Sequence, residues 1–318
     1  MSNAASVLTP TLGSLGFSCS PLSACELPLG TLVWLSFNPV ARGLAPSAGL
    51  AKELVIAETG NVPRLRVKNL AKVDVLLPSD LVVDGGKQAR VVERSVIIPA
   101  TLEVEVPVRC VEAGRWAGKP DASATKFSVT ASASIGSREH LMNLKQASLR
   151  KGAGAYGLEQ GEVWKHVADE LTRTGTRSAT NSYTAFLENR GERLARAKAM
   201  KIVPPSAANA VAVVRHGGAI WIEAFPSHAH AEESAIAHAA DLLVEGGAAV
   251  PPESKPFADP RARAHRALER LFGASLVTVA PPEGTKGESF AVDAEGVAGF
   301  LLVAARELAH LTSTVDVR

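Results

Sequence analysis

"VVDGGKQARVVERSVIIPATLEVEVPVRCVEAGRW", residues 82–116, alternates apolar and polar side chains over most of its length. Successive side chains of an extended chain point to opposite faces, so this alternation marks strands with one face on a core and one in water. Val91, Val92, Val96, Ile97 and Ile98 read as core on that logic. The stretch breaks its own pattern twice, at "GGKQAR" (residues 85–90) and at "EAGRW" (residues 112–116). Each break places charged groups beside glycine.

Outward from it, "FSCSPLSACELPLGTLVWLSF", "ELVIAET", "RLRVKNL" and "VDVLLPSD" are further short apolar runs bounded by Gly, Pro, Asn or Asp. Short strands with this punctuation predict an all-β, sandwich-like domain over residues 15–117. An Ala/Ser/Thr-rich stretch reads as a linker over 118–139. Residues 140–318 read as an α+β domain, so the chain as a whole is expected to be α+β.

In that second part, "EQGEVWKHVADELTRTG" spaces Val163, Val167 and Leu171 four apart, one face of a helix, with Gly175 as its stop. "NSYTAFLENRGERLARAKAM" reads as a second helix, and "ANAVAVVRHGGAIWIEAF" as a hairpin turning at Gly217-Gly218. "EESAIAHAADLL" is an Ala-rich helix. "DPRARAHRALERLFG" is a helix with both ends marked, Asp259 as N-cap, Pro260 in the first turn and Gly273 past the end. "LVTVAPP" and "FAVDAEGVAGFLLVAARELAHLTSTV" finish the chain as strands, although "AARELAHL" also has helical propensity.

Bulk properties narrow the function classes. Lys+Arg number 34 against 32 Asp+Glu, a net charge of +2, which gives no footprint for a nucleic-acid groove. The longest apolar runs fall short of the roughly 20 residues that span a bilayer. The start "MSNAASVLTPTLG" has no basic patch leading into an apolar core, so no signal peptide is expected. Three cysteines, Cys19, Cys25 and Cys110, make no even disulfide framework and no CxxC pair, which points to a reducing cytoplasm. "GGKQAR" lacks both the GK[ST] spacing of a phosphate loop and the GxGxxG of a dinucleotide site, so no cofactor is expected. His228 and His230 would share a face if that segment were a strand, with His238 further on. No carboxylate stands at a trusted ligand spacing in this Ala-rich, exposed-looking segment, and no metal is expected.

The two pattern breaks carry the chemistry. Lys87 and Arg90 are cations, Gln88 offers donor and acceptor together, and Gly85 and Gly86 allow close backbone approach. Arg115 and Trp116 set a planar cation beside a flat ring, suited to gripping an anion and stacking on a base. Glu112 beside Arg115 reads either as a structural ion pair or as a catalytic acid or base. Glu162, in the first turn of its helix, suits the helix dipole and is the second acid/base candidate. Trp164 next to it reads as core, and Cys110 as a small core residue. Brought together, residues 85–90 and 112–116 would form one cationic pocket roofed by the helix of Glu162 and Trp164.

Residues 50–116 resemble the ARG and Rhodanese-Phosphatase-superfamily-associated protein domain family. The resemblance rests on Glu58, Gly60, Val62-Pro63, Leu65, Val67 and Asn69, then Gly85-Gly86, Gln88 and Arg90, and most specifically on "PVRCVEAGRW". "EQGEVWKHV", "AIWIEAF" and "VAGFLLVAARELAHL", with His310, are similar to later family segments, so most of the chain is covered. Two departures stand out: Ala89 replaces the usual Asn, and Arg306-Glu307 stands near a usual turn Gly. The family's name records neighbouring genes for ADP-ribosylglycohydrolases and rhodanese-phosphatases, which implies a setting near ADP-ribose or NAD-derived nucleotides.

Two functions follow. The first is a cytoplasmic ligand-binding or accessory module in which Lys87, Gln88, Arg90, Arg115 and Trp116 hold a small anionic, nucleotide-like ligand, with no nucleic-acid or membrane partner. The alternative is a hydrolase or transferase on ADP-ribose-type substrates, with Glu112 or Glu162 as acid/base. The absence of a marked nucleophile favours the first.

Overall fold

The structure, a computed structural model, describes residues 9–47, 52–115, 127–152, 156–215, 218–243 and 259–317. Trp116, Gly217 and residues 118–126 of the expected linker lie outside the described residues. The first ten strands are β1 (Ser18–Leu27), β2 (Gly30–Asn38), β3 (Leu44–Pro46), β4 (Leu54–Glu58), β5 (Arg64–Asn69), β6 (Asp74–Leu77), β7 (Leu81–Gly85), β8 (Arg90–Val92), β9 (Val96–Ile98) and β10 (Glu103–Cys110). After β11 (Phe127–Ser132) come four helices, α1 (Ile135–Arg150), α2 (Gln160–Arg173), α3 (Tyr183–Asn189) and α4 (Gly191–Ala199). The chain closes with β12 (Ala210–Arg215), β13 (Ile220–Ala224), α5 (His228–Asp241), α6 (Pro260–Gly273), β14 (Ser275–Val279), β15 (Glu288–Ala294), β16 (Val297–Ala304) and β17 (Glu307–Val315). The chain is therefore mostly β in its N-terminal region and α+β thereafter.

The strands form three sheets. Six strands run in the order β11-β7-β8-β10-β5-β4, all antiparallel. Three run β3-β6-β9. Between these two sheets lies an aliphatic core that includes Leu65, Val67, Val75, Leu77, Val96, Ile98 and Val106. On β5, Leu65 and Val67 point in while Arg64, Arg66 and Lys68 point out, the one-face-wet pattern of an antiparallel sheet. Eight further strands run β1-β2-β12-β13-β17-β16-β15-β14. This sheet joins the beginning and the end of the chain, because β2 pairs with β12, Leu35 opposite Ala210. It is covered on both faces, by α6 through Leu268 and Leu271 on one side and by α1 and α5 on the other. That double cover explains why β2 and β13 are apolar almost throughout.

Helix α1 was not marked by any apolar stripe, and the first part of it falls in the expected linker, as does β11. Its position gives the reason. One side packs on the eight-stranded sheet through Ile135 and Met142, and the other packs toward β7 and β8 through Leu141. A helix packed on a core normally buries an apolar face and turns its polar residues to water. This one instead buries Ser137, Arg138, Lys145 and Gln146, which hides its periodicity. Arg138 is paired with Glu223 of β13, and Lys145 donates to the Asp80 carboxylate at 3.1 Å.

Two other local readings change and one holds. The single helix expected over 181–200 breaks at Arg190, whose buried guanidinium pairs with Asp241 at 2.7 Å and donates to the Ala237 carbonyl at 2.7 Å. Helix α5 starts four residues earlier than expected, at His228, and buries His230 and His238 rather than exposing them. The strand reading of "AARELAHL" holds despite its helical propensity: β16 and β17 are joined by Ala305 and Arg306 at φ of 52° and 66°, a two-residue turn with both central residues left-handed.

Replacing Lys145 by Met leaves the Asp80 charge buried without its partner and is expected to cost about 3–5 kcal/mol in urea unfolding at pH 7. Adding Asp80→Asn should recover much of that loss. Arg306→Gly relieves a left-handed side chain in an exposed turn and should stabilise by up to about 1 kcal/mol in the same assay.

Candidate functional site

The two pattern breaks do meet. Beyond β7 the chain turns at Gly86, at φ of 51°, where a Cβ would lie 2.3 Å from the Phe127 ring and 2.7 Å from the Glu58 carboxylate, so only glycine fits. Arg115 donates from Nη1 to the Gly86 carbonyl at 3.2 Å, and Gln88 from Nε2 to the Glu112 carbonyl at 2.8 Å. Glu112 is the hub. Its carboxylate accepts from Arg115 Nη2 at 2.7 Å, from Arg115 Nε at 2.9 and 3.0 Å, from Thr180 Oγ1 at 2.7 Å and from the Ala89 amide at 3.0 Å. Position 89 thus serves through its main chain, and its methyl group is core.

The two arginines brought together there are already matched. Arg115 also faces Asp84 at 3.6 Å. Arg90 is buried, donates to the Gln88 carbonyl at 2.6 Å and faces Glu58 at 3.7 Å. Lys87 is exposed, and its main-chain amide donates to Glu58 at 3.0 Å. Glu162 is exposed on α2 and makes no hydrogen bond to this cluster, while Trp164 beside it is half-buried. Burial alone would raise the Glu112 pKa, but the bonds from Arg115, Thr180 and the Ala89 amide outweigh it and hold the carboxyl below the usual range. Burial raises the Cys110 thiol, in keeping with a core residue. The cluster ties the end of β10 to the β7–β8 turn and to the segment before α3.

A second polar centre lies under α1. Glu223 stands in "IWIEA", a strand whose five residues are all buried, and is itself 1 % exposed. Arg138 and His310 Nε2, the latter at 3.3 Å, reach its Oε1. His238 Nε2 at 2.7 Å and Ser234 Oγ at 3.1 Å reach Oε2. Beyond His310, Ser95 Oγ lies 2.7 Å from Nδ1 while accepting the Ser79 amide at 2.9 Å. The ionised Glu223 carboxylate can only accept, so Nε2 of His310 is the nitrogen that donates to it, with Nδ1 on the Ser95 hydroxyl. Burial works to raise the Glu223 pKa, but Arg138 and the two histidines overcome it and hold the carboxyl well below its ordinary value. Arg138 is further placed over the Trp221 ring at 4.6 Å, a cation–π contact.

Glu223 and Ser234 form part of the wall of a cavity of about 320 Å³, at the seam of the three sheets with α4 and α5. Leu76, Pro78, Leu81, Leu194, Phe225 and Ile236 are among its apolar lining, with Lys198, Thr130 and Glu233 also on it. His230 lines it too, held at Nδ1 by Ser227 Oγ at 2.7 Å. Burial first, and then His310, push the His230 pKa down to about 4, so the ring is neutral at pH 7. Such a mostly apolar pocket with a few fixed polar groups is what small-molecule sites look like. All acceptor positions of Glu223 are occupied, so it orients Ser234 and His238 rather than moving a proton itself.

Of this second centre, Arg138 falls in the expected linker, Glu223 in a strand and Ser234 in a helix, while His230 and His238 are weighed only as metal ligands and His310 only as part of a family segment. A lone acid inside an apolar strand run, Glu223 in "IWIEAF", was the available signal, and His310 in "LAHL" a second one.

Three sheets packed around a polar helix, with a cavity floored by a held carboxylate, define an α+β protein with one small-molecule-sized pocket at the sheet seam. A sequence model of the ARG and Rhodanese-Phosphatase-superfamily-associated Protein domain, ARPP-1, matches residues 31–314, and the chain belongs to that family. No curated protein and no solved structure matches the chain.

Glu112→Gln should destabilise the protein by about 3 kcal/mol at pH 7, because it leaves Arg115 without its closest partner. The folded-state pKa of Glu112 is depressed, so its contribution is complete above the unfolded value of about 4.3 and is lost as pH falls through the lower folded value. Urea unfolding of wild type and variant from pH 7 to pH 3 should show the gap between them closing toward the acid end.

Proposed function

We propose that this chain is a ligand-binding or accessory module of the ARPP-1 family, and that its ligand sits in the cavity over Ser234 and Glu223. The observation that carries the reading is the pairing of that cavity with a carboxylate already ionised and fully held. A hydroxyl fixed by such a group, next to a neutral imidazole, presents hydrogen-bonding partners that need no rearrangement when a ligand arrives. The volume, near the lower end of the roughly 300–1,000 Å³ of small-molecule pockets, suits a nucleoside-sized body rather than a dinucleotide. Lys198, exposed on the cavity wall, suits a phosphate projecting outward, and Glu233 suits sugar hydroxyls. In this reading the ligand is nucleotide-like and anionic, and Lys87, Gln88, Arg90 and Arg115 brace the fold instead of holding it.

The hydrolase or transferase alternative draws less support. Glu112 has both oxygens bonded, and Glu162 stands exposed on α2. Three free cysteines, Cys19, Cys25 and Cys110, support a reducing compartment such as the cytoplasm. No helix among the described residues is long and apolar enough to cross a membrane.

Thermal-shift measurements with adenosine, AMP, ADP-ribose and inorganic phosphate test the reading. AMP should raise Tm most, and a hundredfold excess over Kd corresponds to about 2.7 kcal/mol of stabilisation. Thr130→Trp, an exposed position on the cavity wall, should remove the shift while the unliganded Tm stays close to wild type. No shift with any nucleoside-bearing compound, or an unchanged shift in Thr130→Trp, overturns the assignment.

A further inference from the structure

At one end of the six-stranded sheet the β5–β6 connection (residues 70–73) and the β9–β10 connection (residues 99–102) form a single tip. Main-chain bonds lock them together, the Asn69 amide donating to the Leu102 carbonyl at 2.8 Å and the Thr101 amide to the Ala71 carbonyl at 3.1 Å. The Leu70 amide donates to the Glu53 carbonyl at 2.8 Å, which brings the approach to β4 alongside. On this frame Leu70, Val73 and Leu102 stand 50 %, 44 % and 52 % exposed. Val55, opposite Lys68 of β5, adds a fourth exposed aliphatic group. Ordinary surfaces scatter such side chains singly, and a group of them rimmed by polar residues marks an interaction site. A loose loop could fold its leucines down onto the sheet, whereas loops bonded to each other hold them out.

The charges around the tip narrow what covers it. Lys52, Lys68 and Lys72 are exposed, and among the described residues none of them is in an ion pair. The neighbouring carboxylates are taken, Glu103 by Arg66 at 3.3 Å and Asp74 by Lys286 at 2.7 Å. Glu53 is exposed there as well, so the remaining balance is three cations to one anion. A second copy of the chain is a poor occupant, because a two-fold contact through the tip would set lysines against lysines. A bilayer containing anionic lipid offers the matching order. Its phosphate headgroups meet the ammonium groups, its acyl chains beneath take the aliphatic side chains, and the lysine stems bridge the two. This mode needs no spanning segment, only side chains presented at a surface. We infer that the tip docks the protein on an anionic lipid surface, with Leu70, Val73 and Leu102 entering the outer acyl layer and Lys52, Lys68 and Lys72 on the headgroups.

Flotation of the full chain with vesicles tests this, using phosphatidylcholine alone and phosphatidylcholine mixed with phosphatidylglycerol. The protein should float with the mixed vesicles, stay behind with the neutral ones and be released by high salt. A lysine near an anionic surface contributes about fivefold to binding, so Lys68→Glu with Lys72→Glu should weaken it by about twentyfold or more. Leu70→Ser with Leu102→Ser should weaken it by about tenfold or more. Both variants change exposed side chains and should melt close to wild type. If the double leucine variant does not fold, Leu102→Ser alone must show a loss of about threefold or more. Thr130→Trp, which closes the cavity over Ser234, should leave vesicle binding unchanged, so failure of the nucleotide reading and failure of this one are separable. No flotation with the mixed vesicles, equal flotation with neutral ones, or binding unchanged by the leucine replacements overturns the inference. So does a wild-type dimer in light scattering that the leucine variant turns into a monomer.

Discussion

Arg138 on Glu223, a guanidinium and a carboxylate both withdrawn from water, fixes where α1 lies, and the three-sheet arrangement follows from that. Taking two such charges out of water is expensive, and their attraction offsets the cost only when geometry is good and the remaining donors and acceptors are bonded. Here they are bonded by His238, His310 and Ser234 on the carboxylate side and covered by Trp221 on the guanidinium side. The chain that supplies these partners comes from β13, β17 and α5, while Ser95 and Asp80 bring in loops of the N-terminal β region. An apolar helix could slide along its neighbours at little cost. This one has a single register in which its charges are matched.

The same device recurs wherever an irregular segment has to be held. Glu93 accepts the Leu158 amide at 2.6 Å and pairs with Arg109 at 3.2 Å, anchoring the approach to α2 on β10. Glu112 does the equivalent for the β7–β8 turn and the approach to α3. Asn69, buried, performs it without charge, donating to the carbonyls of Val73, Ile98 and Pro99 and so joining the β5–β6 connection to the end of β9. A carboxylate that takes main-chain N–H groups satisfies donors that no strand partner reaches. Chemistry-bearing residues clustered in sequence are, in this molecule, largely such anchors, and the cavity that suits a ligand is built elsewhere.

Much of the fold was legible before the coordinates. Strand alternation in "RLRVKNL" and "LEVEVPV" survives as inward Leu65, Val67, Val104 and Val106, and the marked ends of α6 are its real ends to within a residue, Asp259 accepting the Ala262 amide at 2.9 Å. What failed to show was what tertiary context decides. Arg138 and Lys145 made α1 look like solvated chain because their partners, Glu223 and Asp80, lie 85 and 65 residues away. Residues 85–90 and 112–115 lie together, yet Asp84, Glu58 and Thr180 supply the matching that local sequence did not announce. Glu223 escaped notice for the converse reason: all four side chains on its carboxylate, those of Arg138, Ser234, His238 and His310, sit on other elements.

The pairing of β2 with β12 gives the molecule an awkward birth. During synthesis the β1–β2 hairpin leaves the ribosome early, with Leu32, Val33, Trp34 and Leu35 awaiting neighbours on both faces. Those neighbours, β12 and the helices α5 and α6, are made more than 170 residues later, since Phe37 waits for Asn209. At about 5–20 residues per second that delay is on the order of ten seconds or more, during which an apolar strand edge is open to wrong partners. The intervening sheets can condense meanwhile, and the nascent chain then behaves as a finished middle trailing an unfinished beginning.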